Sequence, residues 1–208
     1  MKKTFVLVVL FILPIVAYLF FASGVTNFGR LPVLTEEVSD IANIQPSVSF
    51  KGKITILGFL GSDVELKKGN AFNLNQKIYK RFYEFKDFQM VMIMPEGTED
   101  KVEVLKKELG NLVDIRNWIF VFTAESDIRN LFASLDTDLS LDEKLSSPYV
   151  FILDKEGNLR GRDTDEDEGL KYGFNAISVA DLNNKMVDDV KIILAEYRLA
   201  LKKNNAKR

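Results

Sequence analysis

Asp63 and Glu65 stand two residues apart just after an apolar run, which is the residue type and spacing of a general acid and base. Lys67 and Lys68 follow at once and favour an ordinary charged surface turn instead. Met90, Met92 and Met94 recur at i, i+2 and i+4. On a strand they project from one face, and three thioethers there could hold Cu(I). A strand covered by helices needs large, adaptable apolar groups just as much, so core packing is the reading favoured for all three. Asp163, Asp165 and Asp167 alternate like the opening of a calcium loop. The glycine, however, comes one place late at Gly169, and position twelve is Phe174 rather than glutamate, so a solvated loop is expected.

What the 208-residue chain lacks narrows the chemistry further: it contains neither Cys nor His. Disulfides, thiol redox cycling, thiolate or imidazole metal sites and Ser-His or Cys-His catalysis are all excluded. No cofactor is expected. The composition, 47% hydrophobic and 28% charged, suits one ordinary globular domain with an extra segment at one end. A net charge of -2 gives no electrostatic reason for a nucleic-acid partner.

That extra segment is N-terminal. After Lys2 and Lys3, residues 5–22 are an unbroken apolar run, roughly 27 Å long as a helix, close to the hydrocarbon thickness of a bilayer. A retained transmembrane signal-anchor helix over residues 1–23 is expected, and Pro14 is tolerable within it. A cleaved signal peptide is the rival, since Ala22-Ser23-Gly24 offers small residues, but its apolar core is usually only about 7–15 residues. The two lysines before the span place the N-terminus in the cytoplasm. The expectation is a single-pass protein of a bacterial inner membrane with its domain on the periplasmic side.

The elements that must position these residues follow in order. Residues 24–50, with Gly24, Gly29, Pro32 and Pro46, read as a linker, although residues 31–34 could dock on the domain. Residues 54–60 are a buried strand, residues 63–69 a polar loop, and Ala71, Leu74, Ile78, Phe82 and Phe85 one face of a helix. Residues 88–94 form a second strand, parallel to the first. Thr98 then caps a helix with Val102, Leu105 and Leu109 inward. Residues 118–122 give a third strand, and Ile128, Leu131, Phe132 and Leu135 mark a short helix. Residues 136–147 carry no clear element, residues 148–161 form a hairpin, and Ser178 caps a last helix whose inner face runs from Val179 to Tyr197. The domain is expected over 51–201, with a basic tail at 202–208.

Four stretches in this order give a family resemblance: residues 52–59; residues 95–107, reading Pro-Glu-Gly-Thr-Glu-Asp-Lys-Val-Glu-Val-Leu-Lys-Lys; Asn117-Trp118-Ile119-Phe120 with Thr123; and residues 149–161, reading Tyr-Val-Phe-Ile-Leu-Asp-Lys-Glu-Gly-Asn-Leu-Arg-Gly. Jointly they cover about residues 50–200, and the sequence resembles the Sco/SenC family. The resemblance implies an α/β thioredoxin-like fold, a central mixed sheet flanked by helices, behind the N-terminal transmembrane helix. It also implies a Cys-x-x-x-Cys pair and a distant His that hold copper for cytochrome oxidase. At those positions this chain has Val64, Lys68 and Ser146, which offer no lone pair, a cation and a poor soft-metal ligand.

The expectation is therefore a non-catalytic scaffold or assembly factor for an envelope complex such as a respiratory oxidase, acting through protein partners in the membrane or periplasm. The alternatives are a metal carrier using Met90, Met92 and Met94, or an enzyme with recruited carboxylates. The candidate interaction face is Asp63, Glu65, Lys67, Lys68, Asp138, Asp142 and Pro148. In thioredoxin-like folds the proline at this last position is often cis, and a cis Ser147–Pro148 bond is expected.

Overall fold

Alternation on two strands sets the architecture. On β2 (Ile54–Leu60) the side chains of Ile54, Ile56 and Leu60 enter one core, and those of Leu57 and Phe59 enter another. On β3 (Phe88–Pro95) Met90, Met92 and Met94 share the first core, while Val91 and Ile93 share the second. Every residue of β2 is buried because both faces of the sheet are covered. A computed structural model describes residues 10–16 and 30–205.

A seven-stranded mixed sheet follows the order β1-β6-β5-β2-β3-β4, with β9 also pairing β5. Here β1 is Val33–Thr35, β4 Trp118–Thr123, β5 Ser146–Leu153, β6 Leu159–Arg160 and β9 Phe174–Asn175. β2, β3 and β4 are mutually parallel, and β5 runs antiparallel to β2. Three helices cover the methionine face. α1 (Val64–Leu74) passes through a π turn (Asn75–Tyr79) to Lys80–Phe82; α2 is Glu99–Gly110. α4 starts as Val179–Asp181, passes through a second π turn (Leu182–Met186) and continues as Val187–Asn205. The other face carries α3 (Glu125–Ala133) and the segment around Ile41, Val48 and Phe50, with an aromatic knot of Phe59, Phe132 and Phe151.

Several expectations change. The linker expected over 24–50 ends earlier, because the compact unit begins at Leu31. β1 pairs with β6 and Leu31 is buried. The polar loop expected at 63–69 is already helical from Val64. Thr98 does not cap α2 with its hydroxyl, which donates to Pro95 O at 2.7 Å instead. Phe85 and Val179 face solvent rather than the core. The Ser147–Pro148 bond is trans. Proline, which lacks an N–H, is accommodated instead by an irregularity in the β2–β5 ladder between the pairs Gly58–Val150 and Leu60–Ser146. Helix α4 extends to Asn205, into the expected tail.

Asp165 is not part of a solvated loop either. It lies in β7 (Arg162–Asp165), which pairs with β8 (Gly169–Lys171), and its side chain is 1% exposed. Of the expected membrane span, residues 10–16 are described, as helix with exposed side chains, and the rest lies outside the described residues. Among the described residues no helix is long and apolar enough to cross a membrane.

Candidate functional site at the β2–α1 corner

The chain turns from β2 into α1 at Gly61, whose φ of +69° is costly for residues with a Cβ. A Cβ there would also meet Lys144 O at 2.4 Å and Ser146 Cβ at 2.7 Å. This glycine is what lets the loop before β5 lie directly on the corner. Ser62 N donates to Lys144 O at 2.9 Å, which seals the approach.

Asp142 organises that loop. Its carboxylate accepts from Lys144 N and Ser146 N, each at 2.9 Å, and from the Ser146 hydroxyl at 2.6 Å. Burial works to raise the Asp142 carboxyl, but these donors and Lys67, 3.6 Å away, hold it below the usual carboxylate range. The same loop holds Leu145 at φ +61°, a conformation that a bulky residue keeps only when its surroundings impose it. Leu145 is buried, and its N–H donates to Asp142 O at 3.0 Å.

The three positions that the sequence resemblance aligned with copper ligands all lie at this corner or at its edge. Val64 is 2% exposed and packs in the methionine-face core. Ser146 is 1% exposed with its hydroxyl committed to Asp142, so it lacks the access of a nucleophile. Lys68 turns to α2, where Glu108 lies 2.5 Å away and holds its ammonium above the usual range.

The expected interaction face is thus only partly brought together. Lys67 and Asp142 meet, and Ser146, a former ligand position outside that face, joins them. Asp63 and Glu65 are exposed, and Asp63 caps α1 by accepting from Leu66 N at 3.4 Å. Asp138 lines a separate depression with Tyr149, Glu168 and Tyr172. Pro148 is half-buried, and its carbonyl accepts from Ala176 N at 2.8 Å. Met90, Met92 and Met94 are each 0% exposed, and Met92 Sδ packs so closely on Gly58 that an added Cβ would stand 2.7 Å from it.

Two charged clusters were missed by sequence reasoning. In one, buried Arg160 pairs with Asp154 at 3.2 Å and Glu196 at 2.8 Å and donates to Leu31 O. In the other, Arg162 grips Asp189 through two 2.8 Å bonds, and Lys185 reaches Asp165 at 2.6 Å and Asp167 at 2.7 Å. Lys171, 0% exposed, bridges Glu168 at 2.5 Å and Asp181 at 3.2 Å beside the Phe174 ring. A cavity of about 330 Å³ lined by Tyr149, Asp167, Glu168, Asp181 and Lys185 adjoins this second cluster. The local signal was the density of acidic residues between Arg162 and Lys171.

No family model matches the sequence. No curated protein matches it either. Solved structures do. A protein from Bacteroides thetaiotaomicron described as a candidate protein disulfide isomerase is 16% identical, with TM-score 0.49 over 71% of this chain and 79% of that one. The soluble domain of Sco1 from Bacillus subtilis is 19% identical, with TM-score 0.40 over 69% and 82%. Copper-bound ScoI from Arabidopsis thaliana is 18% identical, with TM-score 0.43 over 69% and 89%. The order of parallel and antiparallel strands, with the β2–α1 corner facing the start of β5, makes this chain a thioredoxin-like α/β fold whose sequence contains no cysteine.

Proposed function

We propose that this is a membrane-anchored, non-catalytic, Sco-like protein that acts through protein contacts in the assembly or support of an envelope complex such as a respiratory oxidase. The observation that carries the reading is the fate of the three ligand positions. Val64 is core, Lys68 is tied to Glu108, and Ser146 is tied to Asp142, so a corner that could present ligands is closed on itself. Closed corners held by a rigid sheet still offer a defined surface to a partner. Exposed Leu66, at 74%, adds an apolar contact on the first turn of α1.

The carrier alternative would need Met90, Met92 and Met94 to be accessible, and full burial argues against it. The test is co-purification from detergent-solubilised membranes, comparing the native chain with a Leu66→Asp, Lys67→Ala, Lys68→Ala variant. Loss of a co-purifying protein from a folded, membrane-retained variant supports the reading. Undiminished recovery places the contact elsewhere, and a native chain that recovers no protein under crosslinking overturns it.

A further inference from the structure

At the opposite end of β2 from the glycine corner lies a hollow of about 240 Å³. Ile54, Phe85, Leu194 and Tyr197 give it an apolar lining, and Lys86 and Arg198 stand at its mouth. Phe85 is 47% exposed and Leu199, one residue past Arg198, is 43% exposed. Asp87 is neutralised by Lys155 at 2.5 Å, and Glu156 accepts the Tyr197 hydroxyl. Lys53, whose ammonium donates to Lys86 O at 3.1 Å, adds charge beside them. Lys53, Lys86 and Arg198 have no ion-pair partner among the described residues, and Glu84 and Glu156 are the exposed anions beside them. In sequence, Lys202, Lys203, Lys207 and Arg208 continue the same charge.

The chain also enters the domain at this end. Leu31 N donates to Glu196 Oε1 at 3.1 Å, one residue before Tyr197. Leu31, the first residue of the compact unit, therefore lies beside Glu196 of α4. Residues 23–30 separate the apolar run from Leu31, and eight residues reach at most about 28 Å when fully extended.

We propose that this end of the domain docks on the anionic headgroup surface of a phospholipid bilayer. Phe85 and Leu199 enter the interfacial layer, and Lys53, Lys86 and Arg198 pair with lipid phosphates. The proposal rests on the reading of residues 5–22 as an anchor, because the short tether is what holds this end near the membrane. Cations surrounding isolated apolar side chains, beside the point where the tether emerges, fit a headgroup layer better than a shaped protein partner.

The absence of native cysteine makes the test direct. The full chain carrying A200C or S140C takes one environment-sensitive fluorophore, at the docking end or on the loop before β5, both exposed positions. Each labelled chain is reconstituted into vesicles of phosphatidylcholine alone or with about one third phosphatidylglycerol, the anionic probe. The expected result is a blue shift and headgroup-depth quenching at position 200, not at 140, in anionic vesicles only. K53E/K86E/R198E should lower the membrane-facing fraction at least about tenfold, as should roughly 0.5 M salt. Equal, composition-independent signals at positions 200 and 140 overturn the proposal. Retention of the chain by neutral vesicles at alkaline pH reports the anchor separately. A chain that is not retained but still shifts at position 200 with anionic vesicles keeps the docking surface and discards the anchor.

Discussion

The Asp142 carboxylate takes both the hydroxyl and the backbone N–H of Ser146, at 2.6 and 2.9 Å, and so fixes the start of β5 against the turn at Gly61. Asp142 is therefore a framework residue, although nearly half of its side chain is exposed.

Asp142→Ala should cost about 1–2 kcal/mol by leaving the buried Ser146 hydroxyl and N–H unpaired. Thermal unfolding would register this as a loss of roughly 3–7 °C for a domain of this size. Asp138→Ala, on an exposed side chain, should stay within about 0.5 kcal/mol. Equal effects from the two would mean that Asp142 does not organise the loop.

Gly61→Ala should be among the most destabilising single changes, at least about 2 kcal/mol, because it combines a left-handed backbone with overlap on Lys144 O. Gly52→Ala shares the positive φ but meets nothing within 4 Å, and should cost only about 1 kcal/mol. Denaturant titration of the pair separates the conformational contribution from the overlap.

Arg160→Met should cost about 3–5 kcal/mol, since it leaves the Asp154 and Glu196 carboxylates with no guanidinium between them. Hydrogen exchange adds a local readout. Amides of β1 should lose protection before those of β2, because Arg160 also holds Leu31 O. Uniform loss across the sheet would count against that assignment.

Acid should act through Asp165. Burial raises its carboxyl, but Lys185 and the N–H groups of Asp167 and Glu168 prevail and hold it down to about 2, from an ordinary 3.8. Arg162, at 3.3 Å, adds to this. A depressed folded-state value means stability that is present above about pH 4 and lost as pH falls through about 2. Asp189 opposes the trend: burial raises its carboxyl, so its protonation in acid favours the folded state. Relative to Asp165→Asn, the native chain should lose on the order of 2 kcal/mol between about pH 4 and pH 2. A gap that does not change with pH would show that Asp165 is not held low.

The purified protein should not retain stoichiometric Cu(I) against a competing chelator, because no thiolate exists and the three methionine sulfurs are enclosed. Retention that disappears with Met90→Leu, Met92→Leu and Met94→Leu would reverse this expectation.

What the sequence made legible was periodic. Alternating Met90, Met92 and Met94, the Ala71-Leu74-Ile78-Phe82 face and the Ser178 cap, which accepts from Asp181 N at 3.2 Å, all stand where local pattern puts them. What it hid depends on partners far away in the chain. Asp165 looks solvated until Lys185 arrives from α4, and the docking open to residues 31–34 acquires its partners only when Glu196 and Arg160 receive Leu31. The missing N–H of Pro148 falls at a ladder irregularity that depends on β2, and no local residue announces it. Of the expected face, Lys67 and Asp142 converge beside Ser146, while Asp138 lies in a depression shared with Glu168, a placement decided by the path of the loop after α3.

The short β1 strand has a mechanical meaning. A pull delivered through residue 30 is borne first by the Leu31 carbonyl in the grip of Arg160 and by the two β1–β6 register pairs, Val33 with Arg160 and Thr35 with Leu159. β1 lies at one rim of the sheet, so it can peel away while β2, β3 and β5 stay paired. β1 is thus the strand that a pull on Leu31 strips first, while the Ile41, Val48 and Phe50 side chains behind it stay buried in the second core.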